Sequence, residues 1–169
     1  MSINSIRKDL EVSHREVTNW INILEQFYYH FRIYPYQKQI IRSIKKEPKL
    51  YLFDWSEVED EGAIFENLIA SHLMKVVQYL KEYEGYKTNL CSLRNVDKKE
   101  VDFLVTVADK PWFCVEAKLN VTSPSQSLFY FKERLKIPYA YQVIKKQNID
   151  IFKAEVRIIS SDRFLTSLI

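Results

Sequence analysis

Apolar residues recur at helical spacing twice near the start of the chain. Ile3, Ile6 and Leu10 share one side of a short amphipathic segment over 3–10, which Glu11-Val12 interrupts. Ser13 then reads as an N-cap, with Glu16 placed to complete a reciprocal capping box. Behind it Val17, Trp20, Ile21, Leu24 and Phe27 continue at spacings of three and four. A short helix, a tight turn and a longer capped helix make a helix-turn-helix pattern. Two strand-like runs follow, Tyr28-Tyr29-His30-Phe31-Arg32-Ile33 and Leu50-Tyr51-Leu52-Phe53, with a basic stretch between them. Strands flanking a basic loop after such a helix pair suggest a winged helix.

The remaining two thirds open with a wide helical stripe: Ile64, Phe65, Leu68, Ile69, Leu73, Val76, Val77 and Leu80. The pattern predicts a long helix from about Gly62-Ala63, with Gly85 ending the region. Strands are expected at 90–94, 101–107 and 112–118. Polar turns at Asn95-Val96-Asp97-Lys98 and Asp109-Lys110-Pro111 would join them into an antiparallel meander. A helix over 125–135, strands at 139–144 and 156–160, and a closing helix over 164–169 complete the order. The fold class is α/β: a sheet with helices on both faces, in three layers.

Charge divides the first part of the chain. Arg32, Lys38, Arg42, Lys45, Lys46 and Lys49 face one acid, Glu47; then Asp54, Glu57, Glu59, Asp60 and Glu61 follow without a base. This reads either as a basic surface meeting a linker or as two solvated loops. If the second helix read DNA, its outward residues His14, Arg15 and Asn19 would do so; Lys45 and Lys46 of the basic stretch are further nucleic-acid-binding candidates. Glu16 and Glu25 on the same helix oppose phosphate, so a packing or protein-contact role stands beside that reading. The net charge of +3 permits a nucleic-acid partner without demanding one.

Composition removes several classes. The 169 residues carry two glycines, Gly62 and Gly85, too few and too far apart for a phosphate-cradling loop, so no nucleotide site of that kind is expected. Cys91 and Cys114 cannot supply a disulfide framework or a structural zinc site, and reduced thiols in a cytoplasmic setting are expected. No stretch approaches the ~20 apolar residues of a membrane span, and Met1-Ser2-Ile3-Asn4-Ser5 lacks the apolar core of a signal peptide.

The chemistry concentrates in the meander. Alternation puts Glu116 and Lys118 on one face of their strand, with Trp112 and Cys114. On the neighbouring strand Asp102 and Leu104 share a face, and Val101, Phe103 and Val105 the other. A hairpin between them can bring Asp102 to Glu116 and Lys118. Paired carboxylates inside apolar strands are costly unless something offsets their charge. One solution is a salt bridge at a sheet edge. Another is a bound Mg²⁺ or Mn²⁺, which hard carboxylate oxygens suit and which activates water against a phosphodiester.

Glu66, Val101-Asp102-Phe103 and Val115-Glu116-Ala117-Lys118 together resemble the PD-(D/E)XK nuclease superfamily, the restriction-endonuclease-like fold. More of the chain is similar to the C-terminal domain of unknown function attached to prokaryotic AAA+-type ATPases. The matching stretches are Lys8-Asp9-Leu10 with Val12-Ser13, Asn19-Trp20-Ile21 with Leu24-Glu25, Pro48-Lys49-Leu50-Tyr51 with Asp54, Gly62 to Asn67, Glu100-Val101-Asp102-Phe103, and Val115-Glu116-Ala117-Lys118. The resemblance implies a winged-helix-like segment over 1–58 and a restriction-endonuclease-like core over 59–169. It implies metal-dependent hydrolysis of DNA, or alternatively a catalytically silent DNA- or protein-docking module associated with an ATPase. Asp102 and Glu116 would bind the metal, Glu66 would reach it directly or through water, and Lys118 would assist the attacking water. Gln126 and Tyr130 have a Gln-x-x-x-Tyr spacing seen in some nuclease subfamilies and would contact phosphate or base, unless that helix face packs instead. Arg94, Lys98 and Lys99 stand at the expected mouth, as phosphate contacts or as a solvated turn. Family members usually carry an N-terminal ATPase; this chain is then expected to be a severed relative, a separate gene product or a fragment.

Overall fold

The computed structural model describes residues 3–36, 47–120 and 123–168. Lys38, Arg42, Lys45 and Lys46 lie outside the described residues. Helices α1 (Ile3–Leu10) and α2 (His14–Gln26) lead into strands β1 (His30–Pro35) and β2 (Lys49–Leu52). A 3₁₀ turn (Trp55–Glu57) precedes the long helix α3 (Glu61–Glu82). Then come β3 (Thr88–Arg94), β4 (Glu100–Val107), β5 (Lys110–Lys118), α4 (Gln126–Leu135), β6 (Tyr139–Ile144), β7 (Asp150–Lys153), β8 (Val156–Ser160) and α5 (Ser161–Thr166).

Local chemistry explains the element starts. The Ser13 hydroxyl accepts from the Glu16 N–H while the Ser13 N–H donates to Glu16 Oε2 at 3.0 Å, so the predicted capping box forms. Asp60 caps α3 by accepting from the Ala63 N–H at 2.8 Å. Gly85, at φ +73°, turns the chain after α3 where a side chain would be strained.

Among the described residues eight strands form one mixed sheet, in the order β2-β1-β3-β4-β5-β6-β8-β7. The β3–β4–β5 meander is antiparallel, and β6 runs parallel to β5 and β8. Helices flank both faces. On one, Phe65, Ile69, Leu73 and Val77 of α3 pack with Phe31, Ile33, Tyr51, Phe103 and Val115, joined by Phe164 of α5. On the other, Leu128 and Phe131 of α4 pack with Leu93, Val101, Leu104 and Cys114. The β1–β2 hairpin also uses both faces: Leu50 packs with Val17 and Ile21 of α2. The hairpin belongs to the same sheet as the meander, because β1 pairs with β3 through Tyr34↔Cys91 and Pro35↔Ser92.

Several expectations differ from the structure: β1 begins at His30 rather than Tyr28, and α5 begins at Ser161 rather than Phe164. The turn before β5 is Ala108-Asp109, both at positive φ, and Lys110 and Pro111 already belong to the strand. That is the two-residue hairpin whose twist suits its strands. Strand β7 was absent from the pattern; the Ala154-Glu155 turn, again at positive φ, folds it against β8. Finally, Val101 packs with Leu104 rather than with Phe103 and Val105. The register between β3 and β4 shifts between Cys91 and Leu93, so two steps of β3 oppose three of β4. A bulge of this kind breaks strict alternation and re-aims the side chain within it, here Asp102.

Candidate functional site

The site is assembled where β2, α3, β4 and β5 meet. Glu66 rises from α3 one residue before Asn67, whose buried amide accepts from the Leu52 N–H at 2.9 Å and donates to the Leu52 carbonyl at 2.6 Å. These bonds stand in for a strand neighbour and fix α3 against β2. Tyr51, on the same strand, donates its hydroxyl to Glu66 Oε1 at 2.6 Å. Lys49, two residues earlier and on the same face, reaches Glu66 Oε1 at 3.1 Å, Asp102 Oδ1 at 3.2 Å and Glu100 Oε1 at 2.5 Å. Its ammonium has three donors, and three carboxylates receive them.

Asp102 is held from its other side. Its Oδ2 accepts from the Ala117 backbone N–H at 3.0 Å, which fixes β4 to the β5 motif. Glu116 and Lys118 flank that amide and pair with each other at 2.9 Å. Glu116 is only 5% exposed, and its Oε2 has no hydrogen-bond partner among the described residues. Leaving a buried carboxylate oxygen unpaired costs roughly 1–3 kcal/mol or more.

The electrostatics follow the crowding. Burial, then the neighbouring Glu66, push Asp102 up to about 6, against the opposing pull of Lys49 and the Ala117 N–H; Glu116 adds a smaller upward push. Burial would lower the Lys49 pKa, but Asp102, Glu66 and Glu100 outweigh it and hold the ammonium above the ordinary lysine range. Burial likewise disfavours charge on Lys118, and Glu116, Asp102 and Glu66 reverse that. Tyr51 is pushed far up by burial and then by Glu66, so its hydroxyl stays a donor.

Among the described residues, Glu66, Glu100, Asp102 and Glu116 bring four carboxylates to this place against the two ammoniums of Lys49 and Lys118, with Arg94 at 3.6 Å from Glu100 on the rim. The donor chemistry fits a hard divalent cation: all-oxygen ligands, an excess of negative charge and an orphaned buried oxygen at Glu116. As the side chains stand, no three acids, histidines or cysteines among the described residues close around a single point. The Lys49 ammonium lies among Glu66, Glu100 and Asp102 instead.

Two family models match the sequence. Residues 61–163 match the Domain of unknown function (DUF4143), and residues 1–56 match the Domain of unknown function (DUF8612). The chain belongs to the DUF4143 family. No curated protein matches it. Among solved structures, it is similar to a chain in the refined half-complex from the tetradecameric assembly of Thermococcus gammatolerans McrB AAA+ hexamers with bound McrC. That match has 12% identity and a TM-score of 0.39, over 60% of this chain and 27% of that one. The chain thus spans about a quarter of the length of that neighbour, 27%. The DUF4143 stretch contains Glu66, Glu100, Asp102, Glu116 and Lys118, while Lys49 and Tyr51 come from the stretch matching DUF8612.

The other sequence candidates fall elsewhere. Arg15 is exposed on α2. Glu16 of that helix is tied up in the capping box, and Glu25 pairs with Arg32 at 3.3 Å. Gln126 is exposed at the first position of α4. Tyr130 packs against the α4-side core and carries the Lys99 ammonium 4.3 Å from its ring centroid. Cys91 and Cys114 are pushed up to about 11 and about 12 by burial, which keeps both as thiols. Lys49, Tyr51 and Glu100 were not among the sequence candidates. Their signal was available in alternation: Lys49-x-Tyr51 and Glu100-x-Asp102 repeat the spacing of Glu116-x-Lys118.

Proposed function

We propose that this chain is a metal-dependent nuclease of the PD-(D/E)XK type, hydrolysing DNA phosphodiesters with Mg²⁺ or Mn²⁺. In this reading residues 59–169 form a restriction-endonuclease-like core and residues 1–58 a winged-helix-like segment that contacts DNA. Asp102 and Glu116 hold the ion, and Glu66 reaches it directly or through water. When bound, the ion polarises the phosphodiester and makes water a stronger acid. Lys118 orients the attacking water and offsets charge developing on phosphate. Water adds across one P–O bond, leaving a phosphomonoester and a hydroxyl. Arg94 on the rim is a phosphate contact. Arg15, Lys45, Lys46, Gln126 and Tyr130 are assigned as further DNA contacts.

The observation that carries this reading is Glu116: a buried carboxylate with an oxygen lacking a partner among the described residues, beside Asp102 and paired with Lys118. The pair with Lys118 uses Oε1 and leaves Oε2 open to a further ligand. The test is nicking of supercoiled plasmid by purified protein with Mg²⁺ or Mn²⁺. Lys118→Ala should lower the rate by about 10²-fold or more, the usual loss for a group stabilising developing charge. No nicking with either ion, or nicking that Lys118→Ala leaves intact, would overturn the assignment.

A second reading has its own observation. The Lys49 ammonium already balances Glu66, Glu100 and Asp102, as it would in a site retired from catalysis. The sequence resemblance to the domain carried by AAA+-type ATPases then favours a docking module working with an ATPase partner. DNA retention that falls steeply with salt, without cleavage, would support that reading.

A further inference from the structure

The lysine at the centre of the acids carries more than the second reading alone. Lys49 Nζ donates to Glu66 Oε1, Asp102 Oδ1 and Glu100 Oε1 at 3.1, 3.2 and 2.5 Å. Two of those oxygens, on Glu66 and Asp102, belong to residues that the proposed function assigns to a metal. The third, on Glu100, does not. Nearby, Glu116 Oε2 is buried without a partner among the described residues. An ammonium supplies one positive charge and three donors in tetrahedral directions. It neutralises one of its three carboxylates and reaches none of the orphaned oxygen. A divalent cation carries one more charge and accepts ligands from several directions.

From this we infer that Lys49 is the site's built-in counter-cation, and that its ammonium must release Glu66 and Asp102 before a divalent cation can take its place. The inference rests on the metal-site reading above. Glu100 is what keeps the exchange small. It is the nearest partner of Lys49 and remains available after the other two are given up. Lys49 is also placed to leave: it is the first residue of β2, on a flexible four-carbon stem, and its side chain is 26% exposed. Tyr51 stays behind on Glu66 as a neutral donor and steadies the freed carboxylate. The released ammonium keeps Glu100, which also pairs with Arg94 at 3.6 Å. Metal affinity is therefore set by a competition inside the chain, not by the acids alone.

The decisive measurement is calorimetric titration with Mn²⁺ of the full chain and of Lys49→Met, which keeps the length of the side chain and removes its charge. Lys49→Met should bind Mn²⁺ at least about tenfold more tightly, because a like charge at contact distance is gone. Equal or weaker binding by folded Lys49→Met would overturn the inference while leaving the metal site standing. No binding by either protein would overturn the metal-site reading and the inference with it. Since Lys49→Met leaves three carboxylates without their ammonium, amine labelling of the unaltered chain provides a second readout. Mg²⁺ at saturating concentration should speed acylation of Lys49 relative to the exposed Lys87. Bound Mg²⁺ with unchanged Lys49 labelling would refute displacement even if the variant does not fold.

Discussion

Glu116→Met should stabilise the protein in the absence of metal and remove its response to metal. The wild-type carboxylate is 5% exposed, and its Oε2 lacks a partner among the described residues. Relief of that unmet oxygen is worth about 1–3 kcal/mol. Against it stands the pair with Lys118, whose side chain is 42% exposed and can turn to water. A half-solvated pair contributes only about 0.2–1 kcal/mol. The net is a gain of about 1–2 kcal/mol, helped by the loss of a negative neighbour to Asp102. For a chain of this size each kcal/mol moves Tm by about 2–4 °C, so thermal melts in EDTA should rise by about 2–8 °C. Mg²⁺ at tenfold excess over its Kd should stabilise the wild type by about 1.4 kcal/mol and Glu116→Met by nothing. A lower Tm for Glu116→Met in EDTA would mean that Oε2 is satisfied in solution. The pocket would then not be short of positive charge.

Other outcomes follow from the same interactions. Asp102 is raised to about 6, so its folded pKa lies above the unfolded value near 3.9. The folded state binds its proton more tightly, so the penalty is absent below about pH 4 and grows as pH rises through about 6. The urea midpoint of metal-free protein should fall from pH 5 to pH 7, and less steeply in Asp102→Asn; parallel profiles would refute this origin. Ser13→Ala removes one half of the capping box and should cost about 1 kcal/mol by urea unfolding.

Much of the architecture was legible because the pattern and the packing agree. The α3 stripe, the Ser13 cap and the bounds of β6 and β8 all have local causes: helical spacing, a side-chain acceptor and short apolar runs between turns. Strand β7 had none of these. Asp150, Ile151, Phe152 and Lys153 are all exposed, and the turn after them is Ala154-Glu155 rather than a glycine or asparagine pair. Within the site, Glu116 and Lys118 could be found from spacing of two on one strand. Lys49 could not be joined to Asp102 that way, since 53 residues separate them and the contact depends on β1 pairing with β3. Alternation also misled at Val101, because a register shift is set by the neighbouring strand and leaves no mark in the strand's own residues.

The dependence of the site on β2 bears on how the chain divides. Contacts across the proposed boundary near residue 58 join both sides in one sheet and one core. Phe31, Ile33 and Tyr51 are buried in the same core as Phe65, Ile69 and Leu73. Each such side chain contributes about 1.5–3 kcal/mol when fully buried, so removing the hairpin forfeits a large share of the ~5–15 kcal/mol that holds a domain together. Glu66 would also lose its donors Lys49 and Tyr51, and Asp102 would lose Lys49, leaving like charges facing one another. A fragment covering 59–169 should therefore lack the sharp thermal transition of the full chain by circular dichroism in EDTA. Mg²⁺ should restore part of it, because a divalent cation replaces the missing ammonium. A fragment that melts within a few degrees of the full chain without metal would show that the hairpin is dispensable. The acids would then be balanced by something other than Lys49.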